Sequence, residues 1–178
     1  MRSERLARFL RNWIKPAHVE LTRKPDIILQ DHATGQVYLK RWWLIPRNRL
    51  FNLYLHQFCS SDPADEFHDD PWGNLSVVLR GSYIEWIATG EGEDTKVRRF
   101  DRSEGDFVFR RGKTTHRIDL NLHSDRCHAS GDRIYWEEPC WTLFVTGPRL
   151  RRWGFTDIMT GTWTHWKSFG DRNSEAKS

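Results

Sequence analysis

The chain has 178 residues, enough for one domain with a full core and too few for two large ones. Ten Trp and an aromatic share of 13% exclude a disordered chain although 29% of residues are charged and mean hydropathy is −0.74, and no run nears the ~20 apolar residues that cross a membrane. The net charge of +4 is modest beside the basic stripes of nucleic-acid binders, and three cysteines without a CxxC pair indicate neither a disulfide framework nor a zinc ribbon. The N-terminal run MRSERLARFLRNW lacks the apolar stretch and cleavage site of an export signal, so the expected location is the cytoplasm.

Residues 2–13 place Leu6, Phe9, Leu10 and Trp13 at helical spacing, with Arg2, Arg5, Arg8 and Arg11 on the other faces. That predicts a short amphipathic helix docked through Leu6, Phe9 and Trp13. Pro16 and Pro25 break the pattern, so residues 1–25 read as a helix and a linker. From Asp26 onward, short runs of aromatic and β-branched residues alternate with turns; strands are expected at 27–30, 37–45, 51–58, 75–80, 82–87, 97–101, 107–110, 116–120 and 141–145. Residues 121–138 interrupt this rhythm as an extended loop or hairpin, and 167–178 read as a polar, disordered tail. The fold class is therefore mainly all-β, a sandwich or barrel over 26–166 preceded by one short helix, because an α/β sheet would need crossover helices.

The chemistry concentrates in Phe67-His68-Asp69-Asp70-Pro71-Trp72-Gly73-Asn74. In an extended segment residues two apart share a face, so His68 and Asp70 can converge, with Asn74 joining them across the Pro71-Trp72-Gly73 bend. Downstream, a strand ending at Arg110 turns through Gly112 into a second strand opening with His116. Two imidazoles and one carboxylate are the ligand set of a facial triad, which leaves positions open on a six-coordinate metal such as Fe(II). Taken singly each residue has a plainer reading, as turn chemistry before Pro71 or as a satisfied strand imidazole.

These spacings resemble the cupin superfamily. His68, Asp70, Asn74 and Gly81 fall at the intervals of the first cupin motif, G-x5-H-x-H-x3,4-E-x6-G, and Gly105 and His116 at those of the second, G-x5-P-x-G-x2-H-x3-N. With YLHQF upstream and PCWTLFVTGPRLRRWGF downstream, the chain is similar to small cupin-like proteins common in bacteria and phages, over Leu53 to Phe155. Departures are Asp70 for the second His, Asn74 for Glu, Asp62 for the opening Gly, and Arg111 and Lys113 for the Pro and Gly of the second motif. The resemblance implies a double-stranded β-helix barrel whose metal set is His68, Asp70 and His116, with Asn74 as a weak fourth ligand or a supporting donor. The altered set is similar to the HxD...H triad of iron and 2-oxoglutarate oxygenases, whose extra basic residue has only Arg126, in the 121–138 insertion, as a counterpart.

The implied function is a non-haem Fe(II) oxygenase, with Mn, Ni or Zn as other metals and 2-oxoglutarate as a candidate cosubstrate. Rivals are a metal-dependent isomerase, epimerase or lyase in which His56 or Tyr54 moves a proton, and a non-catalytic binding or assembly protein that uses the barrel as a scaffold without metal. The expected partner is a small anionic molecule held by Arg80 or Arg111 beside Trp72, since an inward guanidinium needs an oxyanion. Alternation along residues 107–111 divides Arg110 and Arg111 between faces. Neither a membrane nor nucleic acid is an expected partner, and a homodimer is admitted. His123, Cys127 and His128 lack a fourth zinc ligand; Cys140 reads as a buried thiol, and Trp153, Trp163 and Trp166 as packing over the barrel end.

Overall fold

The computed structural model describes residues 3–31, 34–62, 67–90, 94–126 and 133–169. Two helices precede the strands. Helix α1, Glu4–Ile14, stops at Lys15, whose φ of 51° is left-handed, and α2, Pro16–Thr22, starts immediately with Pro16 in its first turn. Proline at a helix start has no N–H to lose and a φ already suited to the helix, so Pro16 begins a helix where a linker was expected. α1 also docks on a different face from the one its large residues suggest. Ala7 and Ile14 are buried and Leu10 partly so, against Trp42, Leu55, Val77, Leu79, Trp141 and Leu143, while Leu6, Phe9 and Trp13 are 43%, 64% and 70% exposed. Ala7 is the reason: its methyl group lets the helix backbone approach the sheet, which places Ala7, Leu10 and Ile14 at the contact and lifts their bulky neighbours off it. Arg11 fixes the helix laterally with an ion pair of 2.5 Å to Glu104. Ile14→Ala is expected to cost about 2–5 kcal/mol and Trp13→Ala no more than about 0.5, as urea denaturation would measure.

The strands are β1 (Ile27–Gln30), β2 (Val37–Trp43), β3 (Asn52–Phe58), β4 (Phe67–His68), β5 (Asn74–Arg80), β6 (Ser82–Thr89), β7 (Lys96–Ser103), β8 (Phe107–Arg110), β9 (Thr115–Leu120), β10 (Leu122–Arg126), β11 (Arg133–Glu137), β12 (Cys140–Thr146), β13 (Gly154–Thr156) and β14 (Trp163–His165). Two six-stranded antiparallel sheets run in the orders β1-β2-β3-β12-β5-β8 and β14-β13-β4-β9-β6-β7. The pairs β3/β12, β4/β9, β5/β8 and β6/β7 form a long antiparallel ribbon wound on itself, so its members alternate between the sheets. That is the strand order of a jelly roll, the double-stranded β-helix of cupins. One apolar cluster, Leu39, Phe58, Val78, Tyr83, Ile118, Leu120 and Cys140, fills the space between the sheets. The other lies between the first sheet and the helices.

Gly81, the glycine of the first motif, is the single residue between β5 and β6. Its φ is 81°, and a Cβ there would come 2.8 Å from the Pro139 carbonyl oxygen, so a side chain would spoil the corner where the ribbon crosses between sheets. Within residues 121–138, β10 pairs antiparallel with β11 as a two-stranded sheet separate from the other two. The described structure continues past residue 166. Residues 166–169 form a helical turn, and Phe169 stacks on Phe155 with ring centroids 4.0 Å apart, because this segment still has an aromatic to bury. The rest of the expected tail, from Gly170, lies outside the described residues. Among the described residues no helix is long and apolar enough to cross a membrane.

Candidate functional site

His68 and His116 are register partners on β4 and β9. Their rings lie 4.6 Å apart at 50°. β4 is only two residues long, held on its other side by β13 through Phe155 and Thr156. The Nδ1 of His116 lies 3.1 Å from the Thr114 carbonyl oxygen, which can only accept. Nδ1 therefore carries the proton, and Nε2 keeps the lone pair a metal would use. Burial holds this imidazole well below its usual pKa, helped by the charges of His68 and Arg110, so it is neutral at pH 7. Beside His68, Asp62 Oδ2 stands 3.9 Å from Nδ1 and accepts the Ile118 N–H at 2.7 Å. The substitution of Asp for the motif's opening Gly thus puts a buried carboxylate behind the histidine and pins β9.

Asp70 turns to Asn74 while its neighbour Asp69, itself buried, turns to the C-terminal strands, where it accepts from Arg151 Nη1 at 2.5 Å, the Gly154 N–H at 2.9 Å and Trp163 Nε1 at 3.2 Å. Asp69 ties the C-terminal strands to β4. Asp70 is steadied from two sides: its N–H donates to the Gly112 carbonyl at 3.0 Å, and its Oδ2 accepts from Asn74 Nδ2 at 2.7 Å. Burial pushes its carboxyl up, with the charges of His68, Arg110 and Arg41 opposing. Asn74 in turn accepts from Arg110 Nη1 at 3.3 Å, so its amide orients Asp70 and is not turned to a ligand. Arg110 completes its fork on Tyr83 OH at 3.0 Å and on the fully buried Glu85, whose other oxygen accepts from Arg102 Nε at 2.7 Å.

For a divalent metal the donor chemistry fits at His68 and His116, two facing imidazoles with a half-buried carboxylate, Asp70, on the segment between His68 and Asn74. Among the described residues, however, no group of three His, Cys, Asp or Glu side chains is drawn together around one point. The structure shows the histidine pair, and Asp70 held beside it by Asn74.

Other expected site residues land elsewhere. Arg80 is exposed, opposite Trp141 in the register, and lines a surface groove under the helices with Arg11 and Lys15, because β5 shifts register where it meets β12. Arg111 is exposed in the β8–β9 turn; Arg110, one residue earlier and on the same face as Val108, is the one that points inward. His56 is buried and stacked between Phe144 at 4.7 Å and Tyr54 at 5.9 Å. Its Nε2 accepts Arg41 Nε at 2.7 Å, which commits its only lone pair and makes it a donor where a proton-accepting base was expected. Tyr54 is buried, with Arg41 over its ring at 4.9 Å. Trp72 is half-buried, and its indole N–H has no partner among the described residues. Cys140 is buried, which pushes its thiol up, and burial raises Cys59 too, so neither is an activated nucleophile. His123 pairs with Glu138 at 3.2 Å on the outer hairpin that Arg126 also belongs to; Cys127 and His128 lie outside the described residues.

Arg41, Glu85 and Thr142 are inward polar residues that escaped the sequence reading, and Asp62 entered it only as a departure from the first motif. Arg41 did leave a signal, as a cation two residues after Leu39 in a strand whose alternate positions, Leu39 and Arg41, share one face.

No protein-family model matches the chain, and no curated protein matches it. Among solved structures it is similar to a cupin 2 conserved barrel domain protein from Rhodopseudomonas palustris, at 16% identity and TM-score 0.49, over 73% of this chain and 75% of that one. It is similar also to the EutQ protein of Clostridium difficile, at 10% identity and TM-score 0.46, over 74% and 84%. A third is the DMSP lyase DddQ from Ruegeria pomeroyi DSS-3, at 14% identity and TM-score 0.44, over 72% of this chain and 56% of that one. The fold is cupin-like. What carries that statement is the jelly-roll order of the strands.

Proposed function

We propose that this cupin-like protein binds a divalent cation, Fe(II) in the first instance, through His68 and His116 with Asp70 as third ligand, and acts as an oxygenase on a small anionic molecule. The observation behind the reading is the register pairing of two inward imidazoles, one of them fixed by Thr114 in the tautomer that offers Nε2 outward from its own strand. A divalent metal here would supply a Lewis-acidic centre with open positions and, as iron, reactivity toward O2. The chain's own residues do the rest. His116 stays neutral through burial, Asn74 sets the angle of Asp70, and Asp62 backs His68. An isomerase or lyase is less well served, because His56 has no lone pair left to take a proton.

A second reading, a metal-free barrel that only binds its ligand, is favoured by the Asn74–Asp70 hydrogen bond that occupies one oxygen of the third carboxylate. Metal analysis of untagged protein, followed by Fe(II) or Co(II) titration, separates the two. One equivalent should bind. His68→Ala and His116→Ala should each weaken binding by more than the ~10–100-fold that loss of a merely supporting contact costs. A wild-type protein that retains no more metal than the double-alanine variant would leave the metal-free barrel as the answer. Metal binding without O2 uptake under any carboxylate, 2-oxoglutarate included, would remove the oxygenase assignment alone.

A further inference from the structure

Arg41, His56 and Thr142 stand in one cross-strand row, Arg41 opposite His56 on β2 and β3, and His56 opposite Thr142 on β3 and β12. Register partners share a face, and this face is the inside of the barrel. Leu39 and Phe58, in the same alternation, pack with Tyr83 and Ile118 of the opposite sheet, whereas the intervening Trp42, Leu55 and Trp141 lie under the helices.

The row is rich in donors and short of acceptors. Arg41 gives its Nε–H to His56 Nε2, so the imidazole must carry its own proton on Nδ1. That Nδ1 is buried without a partner among the described residues, and so is the Thr142 hydroxyl. Among the described residues the Arg41 guanidinium hydrogen-bonds to His56 and lies over the Tyr54 ring, while the Asp70 carboxylate acts on it as a nearby charge and no hydrogen bond between them is seen. Arg110, in the same barrel, shows the contrast: Glu85, Tyr83 and Asn74 take up its whole fork. A half-buried guanidinium whose terminal nitrogens make no hydrogen bond among the described residues, next to two unmatched polar groups, has room for a planar oxyanion.

We infer that Arg41, His56 and Thr142 form an anchor for the carboxylate group of a small molecule bound inside the barrel. The guanidinium meets the carboxylate side-on, and the His56 Nδ1–H and the Thr142 hydroxyl supply further donors. The anchor carries a single positive charge, since burial and the neighbouring Arg41 keep His56 neutral, and this suits a carboxylate better than a phosphate dianion. The inference shares with the proposed function the premise that the interior takes a small anion. It does not depend on the metal.

The test uses full-length protein freed of metal with EDTA. Acetate, succinate, 2-oxoglutarate and inorganic phosphate are titrated by calorimetry, and the His56 Nδ1–H resonance is followed by NMR. A carboxylate should bind and move that resonance. Arg41→Met should weaken binding at least tenfold, Arg41→Lys less, and the exposed Arg111→Met not at all. Thr142→Val, which keeps the shape and removes the hydroxyl, should weaken it several-fold and serves if Arg41→Met fails to fold. Failure of every carboxylate to shift His56, wild-type affinity in both Arg41→Met and Thr142→Val, or tighter binding of phosphate than of any carboxylate would each overturn the anchor. Carboxylate binding that survives in a protein found to bind no metal would sustain the anchor and sink only the metal reading.

Discussion

Arg110→Met is expected to cost about 3–5 kcal/mol of stability, because it breaks a buried ion pair from one side. Glu85 is fully buried and held between Arg110 and Arg102. Without Arg110 it keeps only Arg102, which is 20% exposed and partly drawn to solvent. Tyr83 and Asn74 lose a donor in the same stroke. If the loss comes from a stranded charge, removing that charge should restore stability, since apolar residues of similar volume can replace a buried pair at little cost. Arg110→Met/Glu85→Met should thus be more stable than Arg110→Met alone in urea denaturation. A double variant worse than the single one would mean that the contacts of Glu85 with Arg102 matter more than its pairing with Arg110. The same substitution frees Asn74 from its guanidinium, so metal or ligand affinity in the rescued double variant reports how far the Asn74 amide governs Asp70.

Period-two alternation and turn residues were sufficient to place the main barrel strands, since each needs one apolar face and a sharp end. They were insufficient for the facing of β8. Phe107 and Phe109 look like its inner residues, yet Phe107 packs toward the helices and Phe109 is 72% exposed, while Val108 and Arg110 point inward. A sheet covered on both sides gives alternation no unique answer, and a buried arginine is readable only once Glu85 is known to face it. Helix α1 misled for a related reason: its docking face is chosen by how closely Ala7 lets two backbones approach, and summed side-chain hydrophobicity does not contain that distance. β4, with two residues, has no period at all. That His68 and His116 lie side by side was legible only because two motif spacings, each anchored by a glycine, converge on adjacent strands. The hydrogen bond that turns Asp70 to Asn74 depends on side-chain torsions that spacing cannot express.

The barrel interior is therefore polar on one flank and apolar on the other. Val78, Tyr83, Ile118 and Leu120 fill one part, and Asp70, Asn74, Arg110, His116, His56 and Arg41 occupy the rest. Such a polar half is costly to bury, so most of its groups are paired. Among the described residues the exceptions include His56 Nδ1, Thr142 Oγ1 and the Arg41 fork, which fall in one row, and Thr146 Oγ1 and Trp43 Nε1, which lie further along the same faces of β12 and β2. The row is where a guanidinium and two such groups meet, and that juxtaposition is what a carboxylate would satisfy.

The same burial makes the fold sensitive to mild acid. Burial holds His56 and His116 well below the ordinary imidazole range in the folded protein, with Arg41 adding to the effect at His56 and with His68 and Arg110 adding to it at His116. The unfolded chain binds these protons near pH 6.5 and the folded chain does not, so the folded state loses ground as the pH falls below that value. Each imidazole contributes a slope approaching one proton until its own lowered folded pKa is reached. Asp62 and Asp70 act with the opposite sign. Burial raises both, so their charged forms oppose folding at neutral pH, and the relief on protonation comes only as the pH drops through their folded values toward the 3.8 of a free carboxyl. Below about pH 6.5 the imidazoles should lower the urea midpoint of EDTA-treated protein, with Asp62 and Asp70 offsetting part of the fall as they take up protons. His56→Gln keeps an acceptor for Arg41 and cannot titrate there, so its midpoint should fall with a slope smaller by about one proton. Equal slopes in the two proteins would show that His56 takes up its proton in the folded state too, at the expense of the Nε2 lone pair that accepts from Arg41.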